Sequence, residues 1–353
     1  MEQTRSPATG ERLVYVSDTE PGLRRQRRGN GFSYHYANGR QVRDSATLQR
    51  IRALAIPPAY HDVWICRSAR GHLQATGRDA RNRKQYRYHP RWRQARSQEK
   101  FERIVAFGQA LPRLRRRLRS DLAQTGFQRE TILALVVAIM ADTLLRVGNN
   151  EYVRTNRSYG LTTLRNRHIE FLRGGKARLQ FRGKGGKPHE VVIDDERITR
   201  LIRRCQQLPG QLLFQYRDDA GHVQPVDSGL VNDYLRDAMG ASFTAKDFRT
   251  WGGTLIALRL LANQPLPMGA DGKVDERAVT STRAQVIADV AARLANTPAV
   301  CRNAYIDPAV FAVWEEGTLA RFVRDARGPR QWEAAALRVL KHAHSSRMQP
   351  KPR

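Results

Sequence analysis

Five side chains downstream of residue 140 combine a nucleophile with groups that bind phosphate. They are Arg146, Lys184, Arg249, Asn296 and Tyr305. The pKa of a tyrosine phenol is about 10, so the phenol becomes an effective nucleophile only where cations favour the phenolate. Arginine donates two parallel hydrogen bonds to phosphate oxygens, and fixed cations stabilise the charge that develops on a phosphoryl group under attack. The set predicts attack of a tyrosine on a phosphodiester.

The first two cations of this set also have ordinary structural explanations. Arg146 follows the apolar run 132–141, and a cation near the end of a helix complements the helix dipole. Lys184 lies in the glycine-rich segment 182–187, which is typical of a solvated hairpin tip, and Lys187 competes with it for any role there. A catalytic interpretation therefore rests on the whole set.

The last three residues lie in or beside predicted helices. Arg249 follows a predicted helix start, where backbone amides favour a phosphate, although a surface arginine is the simpler explanation. Thr297 and Pro298 predict a new short helix, with the threonine as its cap and the proline in its first turn. Asn296 precedes this helix and Tyr305 lies near its end. A packing role is the default for any one tyrosine, so the order and chemistry of all five residues carry the hypothesis.

The composition favours a polyanionic partner. The chain has 353 residues with 62 Lys and Arg against 33 Asp and Glu, and its net charge is +29. Basic runs recur at 24–28, 81–84 and 113–119. This charge is far too basic for an enzyme of small neutral metabolites. Nucleic acid is the commonest partner of such a surface.

The sequence predicts no cofactor, no metal and no membrane. Its three cysteines are widely spaced and its nine histidines are scattered, so no disulfide framework or metal motif can be assembled. It has no phosphate-binding loop of the ATPase type. The N-terminus has no apolar signal segment, and no apolar run reaches the roughly 18 residues of a membrane span. A cytoplasmic, nucleoid-associated protein is expected.

The predicted strands and helices fall into two domains. Residues 1–95 are predicted to form a small β-rich DNA-binding domain. Its hairpin is expected to turn at Asn38-Gly39. A helix over 45–54 and strands over 62–66 and 71–77 complete it, and the segment around 85–88 is expected to be a basic loop.

Residues 96–353 are predicted to form a larger, mainly α-helical catalytic domain. Two long helices are expected over 100–124 and 129–146, and a three-stranded β-sheet over 168–173, 177–182 and 190–194. Further helices are expected at about 195–207, 227–239, 245–263, 276–295 and 330–343 from their apolar periodicity, before a basic tail over 344–353.

With these features in place, the chain resembles the poxvirus-type family of type IB DNA topoisomerases, the small bacterial and viral enzymes, over residues 20–320. The resemblance rests on the N-terminal signature 77–89, on Arg146-Val-Gly-Asn, on Gly183-Lys184-Gly, on Lys246-Asp-Phe-Arg249-Thr, and on Asn296-Thr-Pro followed by Ala-Tyr305. It implies that Tyr305 is the nucleophile and that Lys184 protonates the leaving oxygen. Arg146, Arg249 and Asn296 would hold the phosphate.

The resemblance also implies the fold and the reaction. The fold would be of the α+β class shared with tyrosine recombinases, and its two domains would close as a C-shaped clamp around duplex DNA. The enzyme would act as a monomer and relax positive and negative supercoils through a 3′-phosphotyrosyl intermediate, without ATP or metal. Its expected DNA contacts are Arg81, Lys84, Gln85, Tyr86, Tyr88, Lys187 and Lys246.

Position 296 departs from a common pattern of the family, because several members have histidine there. Asparagine can donate a hydrogen bond to a phosphate oxygen, but it cannot donate a proton or carry charge. Asn296 therefore favours hydrogen bonding to the transition state over acid catalysis.

Two rival functions use the same features differently. A tyrosine site-specific recombinase would use the same chemistry, but such enzymes typically have His-x-x-Arg at the second arginine, where this chain has Lys246-x-x-Arg249. A non-enzymatic DNA-coating protein would explain the charge, since neutralising phosphates gives affinity for any sequence. It would not explain the ordered set that ends at Tyr305.

Overall fold

The computed structural model describes residues 13–80 and 82–348 of the chain. It divides into two compact units, Met1–Glu102 and Arg103–Arg353. The smaller unit is built on a β-sheet and the larger one is mostly helical, which agrees with the α+β class expected from the sequence. Within the described residues, no helix has both the length and the apolar character needed to cross a bilayer.

The smaller unit contains one antiparallel sheet whose strand order is β2-β1-β3-β4-β5. The strands are β1 (Leu23–Arg28), β2 (Gly31–His35), β3 (His61–Ile65), β4 (Leu73–Arg78) and β5 (Lys84–Tyr88). Helix α1 (Ser45–Ala53) begins at Asp44, whose carboxylate accepts a hydrogen bond of 2.7 Å from the backbone N–H of Thr47. Ile51 of α1 is buried with Leu23 and Ile65 of the sheet, so one apolar core joins the helix to the strands.

Two predictions for this unit differ from the structure in detail. The predicted reversal at Asn38-Gly39 is present, because His35 pairs with Gln41 across it. The longer hairpin was missed: it joins β1 to β2 and turns at Gly29-Asn30, where Gly29 takes a φ of 55° that glycine adopts without strain. The segment expected as a basic loop is the edge strand β5. Its backbone pairs with β4, and this pairing forms a strand although the side chains of the segment are basic.

The larger unit contains most of the helices. Helix α2 (Pro90–Asp121) runs across the division between the units. It is followed by α3 (Arg129–Thr143), α4 (Asn150–Asn156), α5 (Glu196–Cys205), α6 (Ser228–Met239), α7 (Ala245–Ala262), α8 (Glu276–Arg293), α9 (Pro298–Ala304), α10 (Ala309–Glu315), α11 (Leu319–Val323) and α12 (Pro329–Met348).

A three-stranded antiparallel sheet lies between α4 and α5 in the chain. Its strands are β6 (Ile169–Phe171), β7 (Ala177–Arg182) and β8 (Pro188–Ile193), in that order. Short 3₁₀ turns, Leu161–Thr163, Asn166–His168 and Lys184–Gly186, precede the sheet and connect β7 to β8. A two-stranded ribbon, β9 (Gln215–Arg217) and β10 (Val223–Pro225), precedes α6.

Two helices at the centre of the larger unit bring the functional segments together. Helix α3 is buried on nearly every side, which is why its sequence is apolar without a polar face. Helix α7 packs closely against α2 at Gly108, where a Cβ atom would lie 2.4 Å from the ring of Trp251. Trp251, which is only 4% exposed, is therefore a packing residue.

Candidate active site

Arg249 is held in the second turn of α7 by contacts that join distant segments. It is only 4% exposed. Its Nη2 donates to the carbonyl oxygen of Leu294 at 2.7 Å, and its Nη1 donates to the carbonyl oxygen of Leu144. One guanidinium group therefore ties α7 to the residues that follow α3 and α8. Asp247, two residues before Arg249 in the same helix, forms an ion pair with Arg103 at 2.8 Å.

The sequence predicted that Arg146 lies at the end of a helix, but the structure places it beyond the helix. Helix α3 ends at Thr143, and Leu144 takes a left-handed conformation with φ 56° and ψ 21°, which turns the chain away from the helix axis. Arg146 lies two residues further on, where its carbonyl oxygen accepts a hydrogen bond of 2.9 Å from the backbone N–H of Leu161. A helix-dipole role for Arg146 is therefore excluded, and its side chain points toward the other candidate residues.

The glycine of the Arg-Val-Gly-Asn motif allows this geometry. Gly148 has a φ of 108°, and Gly160 lies so close that a Cβ atom on it would be 2.6 Å from the Cα of Gly148 and 2.7 Å from the carbonyl oxygen of Arg146. Both positions therefore require glycine, one for its backbone conformation and the other for space. The segment that carries Arg146 is fixed by this close approach.

Asn296 and Tyr305 flank α9 as expected. Thr297 caps the helix, its side chain accepting a hydrogen bond from the backbone N–H of Val300. Ala295 has a φ of 47°, which reverses the chain after α8. Tyr305 is the C-cap residue of α9, and its backbone N–H donates to the carbonyl oxygen of Cys301 at 3.0 Å. The short helix thus sets the separation of the amide from the phenol.

Four of the five candidate residues meet in one place. The Nη2 of Arg146 donates to the Oδ1 of Asn296 at 2.8 Å. The guanidinium carbon of Arg249 lies 5.0 Å from the centre of the Tyr305 ring. Burial and the positive charge of Arg249 lower the pKa of Arg146, which is the expected result when two cations are brought together out of water. Tyr305 is half-buried at the edge of this cluster.

Three buried N–H groups of this cluster have no acceptor among the described residues. They are the Nη1 of Arg146, the Nε of Arg249 and the Nδ2 of Asn296. Buried polar groups in proteins are nearly always hydrogen-bonded, so three donors without partners on neighbouring side chains indicate a site for an acceptor. A tetrahedral oxyanion offers several acceptor oxygens and a charge that suits two guanidinium groups.

Lys184 lies apart from the other four. It is exposed in the 3₁₀ turn between β7 and β8. Its ammonium group lies 6.0 Å from the ring centre of Tyr152 in α4. Lys187 makes the closer contact, its Nζ donating to the carbonyl oxygen of Asn296 at 3.1 Å. The hairpin is therefore joined to the site through Lys187, while the Lys184 ammonium group remains accessible.

Two residues near the site were not singled out from the sequence. Tyr152 lies on α4, a seven-residue helix that was not predicted. His189 lies on β8, and burial together with the positive charges of Arg146, Arg249 and Lys187 lowers its pKa. His189 could have been found from the sequence. If the two predicted strands are paired across the glycine-rich turn, His189 falls beside the turn that carries Lys184.

The expected DNA contacts of the smaller unit lie largely on β5. Lys84, Tyr86 and Tyr88 share one face of the strand. The tyrosine rings stack at 6.0 Å, and the Lys84 ammonium group lies 5.7 Å from the Tyr86 ring. Gln85 points to the opposite face, where its Nε2 donates to the Oδ2 of Asp79 at 2.9 Å. The strand therefore separates Gln85 from the two tyrosines.

Two expected contacts lie outside β5, and a third, Lys84, has a competing partner. Arg81 lies outside the described residues. Lys246 is exposed in the first turn of α7, three residues before Arg249. Lys84 forms an ion pair of 2.5 Å with Asp18, so a DNA phosphate would compete with that carboxylate for its ammonium group.

Two family models match the chain. A family model described as "Eukaryotic DNA topoisomerase I, catalytic core" matches residues 89–311, and one described as "Bacterial DNA topoisomerase IB, N-terminal domain" matches residues 31–79. All five candidate catalytic residues lie within the first of these regions.

Curated viral proteins are similar over long stretches. The chain is 30% identical over 289 residues to DNA topoisomerase 1B of Acanthamoeba polyphaga mimivirus, a match that covers 81% of this chain and 85% of the viral protein. It is 25% identical over 180 residues to DNA topoisomerase 1B of Vaccinia virus (strain Copenhagen) and to DNA topoisomerase I of Monkeypox virus, which covers 48% of this chain and 56% of each.

Proposed function

The chain belongs to the type IB DNA topoisomerase family, and from this premise we propose that Tyr305 cuts one strand of duplex DNA and then reseals it. The observation that supports this assignment most directly is the meeting of three unpartnered buried donors beside the Tyr305 ring. A backbone phosphate bound there would supply acceptors for Arg146, Arg249 and Asn296. The protein is thus a type I DNA topoisomerase whose reacting groups we assign as follows.

In the cleavage step, the phenolic oxygen of Tyr305 attacks the phosphorus and forms a 3′-phosphotyrosyl bond, while the bond from phosphorus to the 5′-oxygen breaks. Lys184, helped by Arg146, gives a proton to the departing oxygen, which leaves as a 5′-hydroxyl. Arg146, Arg249 and Asn296 hold the non-bridging oxygens, where the charge of the transition state develops. The phenolic proton of Tyr305 passes to solvent water.

In the resealing step, the 5′-hydroxyl attacks the phosphotyrosyl bond and restores both the DNA strand and Tyr305. Between the two steps the free end swivels about the intact strand, which relaxes supercoils of either sign. The covalent bond to Tyr305 retains the energy of the phosphodiester, so ATP is not required. The side chains that hold the non-bridging oxygens and the proton of Lys184 serve the roles that a metal ion would otherwise have, so the proposed reaction uses no metal.

DNA binding is assigned to both units. In the smaller unit, Lys84, Tyr86 and Tyr88 present one charged and aromatic face to DNA, and Arg81 and Gln85 are proposed contacts on the basis of the sequence. In the larger unit, Lys187 and Lys246 lie beside the catalytic residues and suit phosphate contacts, which position a protein on DNA without reading its sequence.

We further propose that the two units, with a domain division near residue 95, close around duplex DNA as a C-shaped clamp. A monomer suffices, because one chain carries all five catalytic residues. The bacterial cytoplasm, in association with the nucleoid, is the proposed location.

Relaxation of supercoiled plasmid in EDTA, without ATP, tests the function directly. Wild-type protein should relax positively and negatively supercoiled plasmid, and the Tyr305→Phe variant should relax neither. Equal activity of the two proteins would remove Tyr305 from the nucleophilic role. Tight plasmid binding without relaxation by the wild type would instead favour a site-specific recombinase or a non-catalytic DNA-coating protein.

A further inference from the structure

His189 is stacked inside the hairpin that carries Lys184. It pairs with Phe181 across β7 and β8. The two rings are nearly parallel, with an interplanar angle of 3° and centres 5.1 Å apart. Phe181 is itself buried. The imidazole is therefore supported on one side by a fixed aromatic ring.

The edge of the same ring lies against the backbone of Gly183, the residue before Lys184. A Cβ atom on Gly183 would lie 2.3 Å from the Cδ2 of His189 and 2.5 Å from its Nε2. The backbone of Gly183 is extended, with φ −93° and ψ −166°, so its conformation suits any residue. Glycine is required at this position for space, because the imidazole occupies the volume of a side chain.

The contact between His189 and Gly183 lies at the start of the turn that carries Lys184. The backbone N–H of Gly183 donates to the carbonyl oxygen of Lys187 at 2.8 Å, which closes the turn around Lys184. Lys187 in turn donates to the carbonyl oxygen of Asn296. The position of Gly183 therefore determines where the Lys184 turn begins relative to the phosphate-binding residues.

The role of His189 in this arrangement is packing. Neither ring nitrogen has a hydrogen-bond partner in the part of the chain that the structure describes. Burial and the nearby cations Arg146, Arg249 and Lys187 lower its pKa, which favours the neutral ring. A neutral aromatic ring can stack on Phe181 without adding a further charge to a crowded cationic site.

We propose that His189 is a positioning residue for protonation of the leaving group: its ring, held between Phe181 and Gly183, sets the turn that presents Lys184 to the 5′-oxygen. The inference rests on the proposed function of Lys184 as the proton donor. His189 itself touches neither the DNA nor the proton in this assignment.

The test compares single-turnover cleavage of two DNA substrates that differ only in the 5′-bridging atom. A substrate with sulfur at that position releases a thiolate, which needs no proton. His189→Ala should slow cleavage of the normal substrate by roughly 10- to 100-fold, since a small misplacement of a catalytic group has effects of that size. The sulfur substrate should restore most of the rate. A general loss of folding or of phosphate binding would slow both substrates alike.

Two further variants separate packing from other roles. Gly183→Ala places a methyl group where the ring lies, and it should give the same defect with the same rescue by sulfur. His189→Phe keeps an aromatic ring and removes both nitrogens, and it should cleave the normal substrate within about threefold of the wild-type rate, since similar packing is retained. A rate for His189→Phe as low as that of His189→Ala would overturn the packing role.

Lys184→Ala shows which of the two proposals fails. If sulfur rescues Lys184→Ala but not His189→Ala, the positioning role is overturned and the proton donor stands. If sulfur rescues neither variant, the assignment of Lys184 fails and the inference fails with it. His222→Ala, which changes an exposed histidine of the β9–β10 ribbon, is the matched control and should leave both rates unchanged.

Discussion

The Nη2 of Arg146 lies 2.8 Å from the Oδ1 of Asn296, although 150 positions separate the two residues in the chain. This hydrogen bond orients the amide. Because Oδ1 accepts from the arginine, the Nδ2 donor is directed elsewhere, and Nδ2 is one of the three buried donors without an acceptor. The contact thus leaves the Nδ2 of Asn296 available for the donor role proposed for it.

Replacing Asn296 tests that role. Asn296→Ala should slow single-turnover cleavage by roughly 10- to 100-fold, near the lower range for loss of one transition-state donor. Asn296→Asp should be slower still, because a carboxylate would pair with Arg146 but repel the phosphate. Asn303→Ala, on the exposed side of the same short helix, is the control. A faster rate for Asn296→Asp than for Asn296→Ala would contradict the donor role.

Replacing the nucleophile should separate cleavage from binding. Tyr305→Phe removes only the phenolic oxygen, so we expect no covalent protein–DNA adduct on a nicked suicide substrate. Affinity for DNA should stay close to that of the wild type and fall with salt in the same way, since phosphate contacts dominate binding. Filter binding over a salt series and a denaturing gel measure the two properties. Parallel loss of both would contradict the nucleophilic role.

The two lysines of the hairpin should differ in their response to the leaving group. Lys184→Ala should slow cleavage of the normal substrate, and a 5′-bridging sulfur should largely restore the rate. Lys187→Ala removes the bond to the Asn296 carbonyl oxygen and should slow both substrates by a similar factor. Rescue of Lys187→Ala instead of Lys184→Ala would transfer the proton-donor role to Lys187.

Gly253 should be intolerant of a side chain. A Cβ atom there would lie 2.5 Å from the carbonyl oxygen of Tyr305. Alanine usually favours a helix over glycine by about 0.5–1 kcal/mol, but overpacking costs about 1–3 kcal/mol. Gly253→Ala should therefore lower both the melting temperature and the cleavage rate. Gly328→Ala, whose nearest neighbour would be 3.9 Å away, should change neither.

The imidazole of His189 should titrate below the ordinary histidine pKa of about 6.5. Burial is the main cause, and the charges of Arg146, Arg249 and Lys187 add to it. NMR of labelled histidine should show that the pKa of His189 is higher in Arg146→Ala than in the wild type. It should be unchanged in Arg154→Ala, because Arg154 is exposed on α4. An unchanged pKa in Arg146→Ala would argue against the proximity of the two side chains.

The lowered pKa of His189 also makes the free energy of unfolding depend on pH. Because the folded protein binds this proton less tightly than the unfolded chain, the contribution of neutral His189 is present above a pH of about 6.5 and is lost as the pH falls through the folded pKa. His189→Phe should therefore weaken the decline of the melting temperature on acidification.

Much of the architecture could be predicted because it depends on neighbouring residues. The helix over 45–54 follows from an aspartate cap and an apolar stripe, and α9 follows from Thr297 and Pro298. The edge strand β5 was missed because its charged and aromatic residues pair with a strand that only the fold supplies. The end of α3 was placed three residues late, since the sequence has no glycine or proline at Leu144 to indicate a left-handed turn.

The residue types of the candidate site could be predicted from the sequence alone: two arginines, a lysine, an amide and a tyrosine, in a chain too basic for a small neutral substrate. The folded chain was needed to show which donors are left without partners and which residues hold them in place. Arg146, Arg249 and Asn296 are brought together by packing among segments far apart in the chain, so no local pattern records their contacts. His189 is the clearest case, because its relation to Lys184 depends on strand register and on the missing side chain of Gly183.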